Sequence, residues 1–306
     1  MDNLFSTPAG HRSGFVTLVG RPNAGKSTLL NAIMGKKIAI TSDTAQTTRH
    51  RFRAVYTEPD YQLVIVDTPG LHKPHDALGE ELNASAMKAL EDVDVVAMLI
   101  DASKPVGRGD QWVAGQLARA SAKKLLVLSK MDLVDVAALE AQRTAALELG
   151  PWDDVLACSA ATGEHVGEFV DAVVGLLPEG PQWFPPDMET DQPLEVVVAE
   201  FIREKILHSF RDEIPHAIGV QTEEMDYVAR KDLYRIRAII YTEHESQKGM
   251  VVGKGGAAIK RIGTEARQDL ERLLGCRVYL DLQVKVKKRW RRDANQIRRF
   301  GYGEGA

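Results

Sequence analysis

The chain has 306 residues, of which 44% are hydrophobic, and this is enough for about two domains with their own buried cores. No stretch approaches the roughly 18 consecutive apolar residues of a membrane-spanning helix, and the N-terminus lacks the apolar segment of a secretion signal. The two cysteines, Cys158 and Cys276, lie far apart in the sequence, without a spacing typical of a metal site. Composition therefore argues against a membrane-spanning or secreted protein and favours a cytoplasmic one with reduced thiols.

The formal net charge of −4 is unevenly distributed along the chain. Residues 179–245 contain 15 acidic and 7 basic side chains, whereas residues 246–300 contain 15 basic and 5 acidic ones. A concentration of basic residues is typical of a surface that binds a polyanion. The C-terminal region is therefore where we expect a polyanionic partner to bind.

From residue 15 to about residue 178, buried apolar runs alternate with helical patterns, which predicts a doubly wound α/β domain with a mostly parallel sheet. The predicted strands are residues 16–19, 63–66, 95–100, 125–128 and 155–158. The predicted helices lie near residues 26–34, 80–90, 110–120, 136–149 and 164–177. Residues 51–57 and 61–67 flank a short turn and predict one antiparallel hairpin inside the sheet. We expect a flexible N-terminus at residues 1–12 and a first domain at residues 13–178.

A glycine-rich turn, GRPNAGKST at residues 20–28, lies between the first predicted strand and the first predicted helix. Gly20 and Gly25 allow the backbone to bend so that several N–H groups point at one anion, and the helix start adds its positive dipole end. Lys26 offers a positive charge to the outer phosphates, and Ser27 offers a hydroxyl to Mg²⁺. Strand, turn and helix together predict a phosphate-binding P-loop rather than an ordinary glycine turn. The predicted nucleotide contacts are Gly20, Arg21, Pro22, Asn23, Ala24, Gly25, Lys26, Ser27 and Thr28.

Two further polar segments fit a nucleotide with Mg²⁺. Asp67 begins the sequence DTPG after the predicted strand 63–66, where it can hold a magnesium-bound water, and Gly70 can offer its N–H to a γ-phosphate. Thr47 or Thr48, in the polar segment 41–50, can complete the magnesium shell, and such a loop is ordered by the γ-phosphate. Each segment alone also fits a type I turn or an exposed polar loop. We predict Ser27, Thr48 and Asp67 as metal ligands, and Thr47, Thr68, Pro69 and Gly70 as further nucleotide contacts.

Two segments after later strands favour guanine over adenine. Asp132, in the sequence SKMD, can accept hydrogen bonds from guanine N1–H and the exocyclic amine, a donor pair that adenine lacks. The stem of Lys130 can lie along the base, and the Ala160 N–H, in the sequence CSA, can meet guanine O6. The predicted base contacts are Ser129, Lys130, Met131, Asp132, Ser159 and Ala160.

The second half of the chain predicts a linker followed by a smaller α+β domain. Residues 178–193 contain five prolines, and we place an interdomain linker at 179–193 and a second domain at 194–301. Its predicted order is helix, two strands, two helices and a strand, at residues 194–210, 217–224, 233–241, near 247, 257–274 and 278–286.

A GKGG sequence lies between the two middle helices of this second domain. A tight glycine turn with a lysine lets a nucleic-acid backbone approach closely, and the element order matches a type II KH domain. Trp290 and Phe300, among the basic residues, are expected to offer stacking surfaces. A solvated basic tail is the alternative. The predicted RNA contacts are Gly253, Lys254, Gly255, Gly256, Lys285, Lys287, Lys288, Arg289, Arg291 and Arg292.

The sequences GRPNAGKS, QTTRH, DTPG, SKMD and CSA resemble the five nucleotide motifs of a translation-factor-class GTPase, and their order and spacing are similar to the Era family. The resemblance covers nearly the whole chain. It implies GTP and GDP as ligands, Mg²⁺ as cofactor, and slow GTP hydrolysis in which Lys26, Thr48, Asn23 and Gly70 act. Leu71 stands where many GTPases have a glutamine that orients water. Asn23 resembles the asparagine with which some relatives hold K⁺, although a loop asparagine in an unusual backbone conformation is an equal alternative.

The resemblance also implies a partner, and the sequence departs from the family pattern at one position. The implied partner is the 3′ end of 16S ribosomal RNA, in the assembly of the 30S subunit, with a monomeric protein in the cytoplasm or peripheral at the cytoplasmic face of the inner membrane. Ser129 replaces the usual asparagine, which bonds guanine N7 and braces the P-loop, so part of that contact is expected to be lost. Two rival hypotheses are an RNA-binding module with a vestigial GTPase and a regulatory GTPase for a membrane or cell-cycle partner.

Overall fold

The computed structural model describes residues 8–44, 47–71, 74, 76–118 and 120–302. The chain divides into two compact units. The first unit comprises Met1–Ala39, Thr48–Pro74 and Leu82–Asp191, and the second comprises Ile40–Thr47, His75–Glu81 and Gln192–Ala306. Two short segments that lie early in the sequence therefore belong with the C-terminal part of the chain. The predicted flexible N-terminus falls mostly outside the described residues.

The first unit has the α/β composition that its alternating apolar runs predict. Its strands are β1 (Arg12–Gly20), β2 (Phe52–Glu58), β3 (Tyr61–Asp67), β4 (Val95–Asp101), β5 (Lys123–Ser129) and β6 (Asp154–Cys158). Its helices are α1 (Lys26–Met34), α2 (Ala77–Lys88), α3 (Arg108–Leu117), α4 (Val136–Leu147) and α5 (Val166–Leu176). The first turn of α2 is counted in the second unit.

These six strands form one sheet in the order β2-β3-β1-β4-β5-β6. Only β2 is antiparallel to its neighbour, and it pairs with β3 from Phe52↔Asp67 to Glu58↔Tyr61. The mostly parallel doubly wound sheet and its single hairpin are both confirmed. In such a sheet the carboxyl ends of the parallel strands lie along one edge, which is where ligands of α/β domains bind.

Apolar side chains on one face of the central strands pack against the helices. Val96, Met98 and Ile100 of β4 alternate along the strand and contact the same buried cluster as Leu71 and Val113. The strands are buried on both faces, which is why they appear in the sequence as continuous apolar runs.

The predicted linker is ordered against the first unit as far as Asp191. Bridges join Arg12 to Glu179 and Ala54 to Thr190. Gln62 Oε1 accepts hydrogen bonds from the backbone N–H groups of Trp183 and Phe184 at 2.7 and 2.9 Å. One buried amide therefore satisfies two backbone donors of a proline-rich segment that cannot form a regular strand.

The second unit is a three-stranded sheet with helices. Its helices are α6 (Leu194–Ser209), α7 (Ile214–Ala217), α8 (Glu245–Val252), α9 (Ala257–Leu274) and α10 (Ala294–Arg299), and its strands are β7 (Gly219–Val228), β8 (Leu233–Thr242) and β9 (Arg277–Val286). The sheet order is β7-β8-β9, antiparallel between β7 and β8 and parallel between β8 and β9. The predicted order of helix, two strands, two helices and strand is confirmed.

The C-terminal aromatic residues correct one prediction. Trp290 has no exposed surface, and its indole N–H donates to the Ala217 carbonyl at 3.0 Å. Its ring lies 5.0 Å from that of Phe300, which is also buried, and 6.0 Å from that of Tyr302. The expectation that Trp290 and Phe300 offer stacking surfaces for bases is therefore wrong, because these rings form a small core.

The short helices α7 and α10 were not predicted. Helix α10 begins at Ala294, and the Asp293 carboxylate accepts hydrogen bonds from the N–H groups of Asn295 and Gln296 at 3.0 and 3.3 Å. An aspartate at this position is a common start of a helix. Among the described residues, no helix is both long enough and apolar enough to cross a membrane.

Candidate functional site

The glycine-rich turn between β1 and α1 requires glycine for two different reasons. At Gly20, where φ is 153°, an added Cβ would lie 2.5 Å from the carbonyl oxygen of Leu99. At Gly25, where φ is 91°, the obstacle is the left-handed backbone at the start of α1. Asn23 is also left-handed, with φ of 66°. This conformation supports the alternative that Asn23 is present for its backbone, because asparagine tolerates that region.

Lys26 is buried beneath this turn. Its ammonium group donates to the carbonyl oxygens of Gly20 at 3.4 Å and Arg21 at 3.2 Å. Burial lowers the pKa of Lys26, and the charge of Asp67 partly opposes that shift. A cation surrounded by loop backbone at a helix start suits the binding of a phosphate group.

Three oxygen-bearing side chains from distant parts of the sequence meet beside Lys26. The Ser27 hydroxyl lies 2.7 Å from Asp67 Oδ2 and 3.0 Å from the Thr48 hydroxyl, which is itself 3.3 Å from Asp67 Oδ2. Thr47 points elsewhere, since its hydroxyl donates to the carbonyl oxygen of Thr44 and lies 3.3 Å from that of Ser42. The structure therefore brings together the three predicted metal ligands and separates Thr47 from them.

The chemistry of this cluster fits a small hard cation. Its donor atoms are a carboxylate and two hydroxyls, and Mg²⁺ prefers oxygen ligands. Asp67 is fully buried, and its Oδ1 atom meets no well-aligned hydrogen-bond donor among the described residues. Burial raises the pKa of Asp67, while the charge of Lys26 and the hydroxyls of Ser27 and Thr48 act in the opposite direction. A bound cation would stabilise this buried carboxylate.

The segment after β3 lies close to the glycine-rich turn. A Cβ added to Gly70 would lie 3.0 Å from both Cα and N of Pro22, so a larger residue there would require the Pro22 backbone to shift by a few tenths of an ångström. The Leu71 N–H donates to the carbonyl of Gly20 at 3.2 Å, and the Leu71 side chain is buried in the core. The Thr68 hydroxyl donates to the Leu18 carbonyl at 2.9 Å. The Leu71 side chain is apolar and faces the core, so it cannot orient a water.

The predicted base segments lie at the same edge of the sheet, because Ser129 and Cys158 are paired at the ends of β5 and β6. Asp132 is exposed within a short 3₁₀ turn, Met131–Leu133. Ser159 is buried, its N–H donating to the Glu164 carbonyl at 2.9 Å, and Ala160 follows half-buried. Because β5 pairs with β6, the segments that carry Asp132 and Ala160 follow neighbouring strand ends, and their roles in guanine binding stay predictions.

One residue beside the base segments was missed by the sequence reasoning. Asp101, at the end of β4, lies 2.8 Å from the ammonium group of Lys130. Burial acts to raise the pKa of Asp101, but hydrogen bonds from Lys130 and Ser103 outweigh it, so the pKa is lowered. Lys130 itself has a left-handed backbone with φ of 59°. An acidic residue at the end of a buried strand was the signal that could have indicated this partner.

Side chains of α6 hold the backbone at Thr41 and Thr47, and all of these residues belong to the second unit. The Thr41 N–H donates to Glu204 at 3.0 Å, and the Thr41 carbonyl lies 2.9 Å from His208 Nε2. The guanidinium of Arg203, which has no exposed surface, donates to the carbonyl of Thr47. The residue next along the chain is Thr48, so these contacts hold the backbone immediately before a predicted metal ligand.

The GKGG turn of the second unit lies between α8 and α9. Gly253 has φ of 74° and ψ of 170°, and a Cβ there would lie 2.7 Å from that of Ala258. Gly255 and Gly256 are left-handed, and a Cβ at either would meet open space. Lys254 and Gly255 are exposed. The turn therefore presents backbone and one lysine to a partner, as the KH prediction requires.

The basic residues predicted to contact RNA differ in how strongly they already interact with other side chains of the protein. Arg291 donates twice to Glu243 Oε2, at 3.0 and 2.8 Å, and lies 3.5 Å from Asp76. Lys287 lies 5.2 Å from the ring centre of Tyr241, and Lys285 lies 3.7 Å from Glu223. The remaining three are exposed: Lys288, Arg289 and Arg292.

His72 and His75, interpreted from the sequence mainly as exposed loop residues, lie outside the described residues.

A buried lysine in a P-loop, an oxygen cluster beside it and a KH-type turn in a second unit together define a P-loop GTPase joined to a KH domain. Family models agree with this class: the 50S ribosome-binding GTPase model matches residues 15–130, and the KH domain model matches residues 213–291.

Individual relatives define the family more narrowly. The chain is 46% identical over 291 residues to the GTPase Era of Alkaliphilus oremlandii, covering 95% of this chain and 99% of that one. A solved Era in complex with MgGDPNP and nucleotides 1506–1542 of 16S ribosomal RNA is 35% identical and superposes with a TM-score of 0.92, over 96% of this chain and 99% of that one. A variant of Aquifex aeolicus Era bound to GDP.AlF4⁻ gives a TM-score of 0.91 at 35% identity, over 95% and 99%. The chain belongs to the Era family of GTPases.

Proposed function

We propose that this protein is a GTP-driven molecular switch that uses Mg²⁺, binds 16S ribosomal RNA near its 3′ end and acts in assembly of the 30S subunit. The observation that carries this proposal is its similarity, over almost the full length of both chains, to an Era solved with MgGDPNP and a 16S ribosomal RNA segment. Its two ligands, a magnesium-bound nucleotide and an RNA segment, are of the same kinds as the ligands predicted for the two sites of this chain, one in each unit. The experiments below test the sites separately.

Ser27, Thr48 and Asp67 are the proposed ligands of Mg²⁺. The support is geometric, since their oxygens lie within 2.7–3.3 Å of one another while the Thr47 hydroxyl bonds to its own loop. Bound Mg²⁺ supplies charge neutralisation between the outer phosphates. We expect Thr48→Val to raise the Mg²⁺ concentration needed for half-maximal GTP hydrolysis, and the matched Thr47→Val to leave it nearly unchanged. An equal effect of both variants would contradict the assignment.

Asp132 is the proposed carboxylate that recognises guanine. The change Asp132→Asn replaces an acceptor by a group that can donate, which suits the additional carbonyl of xanthine. Equilibrium binding of GDP and XDP to wild type and to this variant should show a shift in preference toward XDP. An unchanged preference would refute the assignment of the base site.

In this proposal Lys26 and the N–H of Gly70 bind the phosphates during catalysis, and basal turnover is slow because the Leu71 side chain cannot orient water. K⁺ held with the help of Asn23 is the finer proposal. We expect faster hydrolysis in K⁺ than in Na⁺ for wild type, and loss of that difference in Asn23→Gly, which keeps the left-handed backbone but removes the side chain. Equal rates of wild type in the two salts would remove K⁺ from the mechanism.

RNA binding is proposed at the GKGG turn and the exposed basic residues near it. The support is that Lys254 and Gly255 are exposed and that the glycine turn leaves room for a phosphate backbone. A double change, Lys254→Asp with Gly255→Asp, should abolish binding of a short RNA that copies the 16S 3′ end while GTP binding stays intact. Lys231→Asp, which alters an exposed charge in another turn of the same unit, is the matched control. Wild-type RNA affinity in the double variant would refute the site.

The switch itself requires that RNA binds the GTP and GDP states unequally. Arg203 contacts the backbone of Thr47, and Glu204 and His208 contact that of Thr41. These contacts supply a physical route, since GTP and Mg²⁺ act on Thr48, the residue after Thr47. A vestigial GTPase is the competing hypothesis, and measured turnover with and without RNA separates the two.

We also propose that the protein acts in the cytoplasm, because its proposed partner is the ribosomal subunit, and that it is a monomer. Peripheral association with the cytoplasmic face of the membrane, through the basic C-terminal region, is the alternative. Cell fractionation tests both: the cytoplasmic proposal expects the protein with ribosomal particles, whereas recovery in a salt-sensitive membrane fraction would favour the alternative.

A further inference from the structure

Ser129 is the point where the glycine-rich turn and the base segment meet. Its hydroxyl oxygen lies 2.7 Å from the carbonyl oxygen of Ala24 and 3.1 Å from that of Ile100. The side chain is buried, and a Cβ added to Gly25 would lie 3.8 Å from both its Cβ and its Oγ. The serine that departs from the family pattern therefore still braces the P-loop.

The Ser129 hydroxyl has a single proton, which limits the number of hydrogen bonds that it can donate. A serine has one proton to donate, whereas an asparagine amide has two. Among the described residues, the hydrogen-bond partners of this hydroxyl are the carbonyls of Ala24 and Ile100, which accept and cannot donate. The proton is therefore directed mainly at the nearer one, that of Ala24. Guanine N7 is also only an acceptor. One proton cannot serve the P-loop and N7 together.

We propose that Ser129 commits its only proton to the P-loop, so that this protein recognises guanine without a hydrogen-bond donor to N7. The inference rests on the proposed guanine-nucleotide site and adds a specificity to it. Recognition then depends on the N1–H and exocyclic amine at Asp132 and on O6 at Ala160. The site tolerates changes at position 7 of the base that a site with an asparagine amide rejects.

The test compares GDP with 7-deaza-GDP, in which N7 is replaced by a C–H that cannot accept a hydrogen bond. Titration calorimetry on the full-length wild-type chain with Mg²⁺ should give dissociation constants that agree within about 2-fold, because no protein hydrogen bond is lost. Binding of 7-deaza-GDP that is 3-fold or more weaker, a loss typical of one hydrogen bond, would overturn the inference.

Two variants assign the effect to this side chain. Ser129→Asn supplies a second N–H, and we expect it to bind GDP about 3- to 10-fold more tightly than 7-deaza-GDP. Ser129→Ala removes the brace to Ala24 and should weaken both ligands by the same factor, which leaves their ratio near that of wild type. An unchanged ratio in folded Ser129→Asn, or an altered ratio in Ser129→Ala, would contradict the inference.

The same titrations separate this inference from the proposed function. Tight GDP binding together with discrimination against 7-deaza-GDP in wild type would overturn only the inference. Failure of wild type to bind either nucleotide would overturn the proposed function, and the inference with it.

Discussion

The two glycine turns of this protein have nearly the same local backbone and opposite surroundings. Gly25 precedes α1 with φ of 91° and ψ of 11°, and Gly256 precedes α9 with φ of 81° and ψ of 11°. Lys26 is buried among loop carbonyls, whereas Lys254 is exposed. A glycine turn before a helix is therefore a general device for approaching a phosphate, and its setting decides which ligand it suits. The enclosed turn suits a nucleotide, and the open one suits a polymer.

The largest expected effect concerns the aromatic core of the unit that carries the open turn. If the aromatic residues of the second unit form its core, Trp290→Ala should lower the free energy of unfolding by about 3–5 kcal/mol, since the ring is fully buried. Tyr279→Ala is the control, because that side chain is 61% exposed on the same unit and should cost far less. Denaturant unfolding measures both, and similar small losses would mean that Trp290 is a surface residue after all.

The next effect separates the two lysines. Lys26→Met removes a buried charge that the proposed phosphates need, and should weaken GDP binding by about 10- to 100-fold, as expected for a charged hydrogen bond. Lys254→Met should leave GDP binding unchanged and weaken RNA binding instead. Calorimetry with GDP and with the short RNA gives all four values. Comparable effects of both variants on the binding of either ligand would contradict the assignment of one turn to the nucleotide and the other to RNA.

A smaller effect separates the glycines within the open turn. Gly253→Ala meets both a strained backbone and the close approach of Ala258, so it should cost about 1–3 kcal/mol of stability. Gly255→Ala has open space and only the left-handed penalty, about 1 kcal/mol. Thermal unfolding measures the difference, and an equal loss for the two would show that the contact with Ala258 is unimportant.

Local patterns predicted most of the fold. Apolar runs located all five parallel strands of the first unit, and the glycine-rich turn located the junction of β1 and α1, because strand, turn and helix are encoded within a few residues. The bounds 26–34 and 257–274 agree with α1 and α9, each of which ends at a left-handed glycine.

Contacts between residues that lie far apart in the sequence were not predicted. Trp290 looked like an exposed aromatic residue among basic ones, since nothing nearby in the sequence reveals that its indole bonds to Ala217. The partnership of Asp101 with Lys130 and that of Arg203 with Thr47 join residues on separate elements. The periodicity of apolar residues predicts which face of a helix or strand is buried, but it does not predict which side chain of another element contacts that face.

The central claim is that a guanine-nucleotide site and an RNA site on one chain are coupled. The most direct test measures the rate of GTP hydrolysis in K⁺, with and without a short RNA that copies the 16S 3′ end. We predict that RNA changes the hydrolysis rate of wild type and leaves the rate of the Lys254→Asp, Gly255→Asp double variant unaltered. A wild-type rate that stays the same while the RNA is demonstrably bound would contradict the claim.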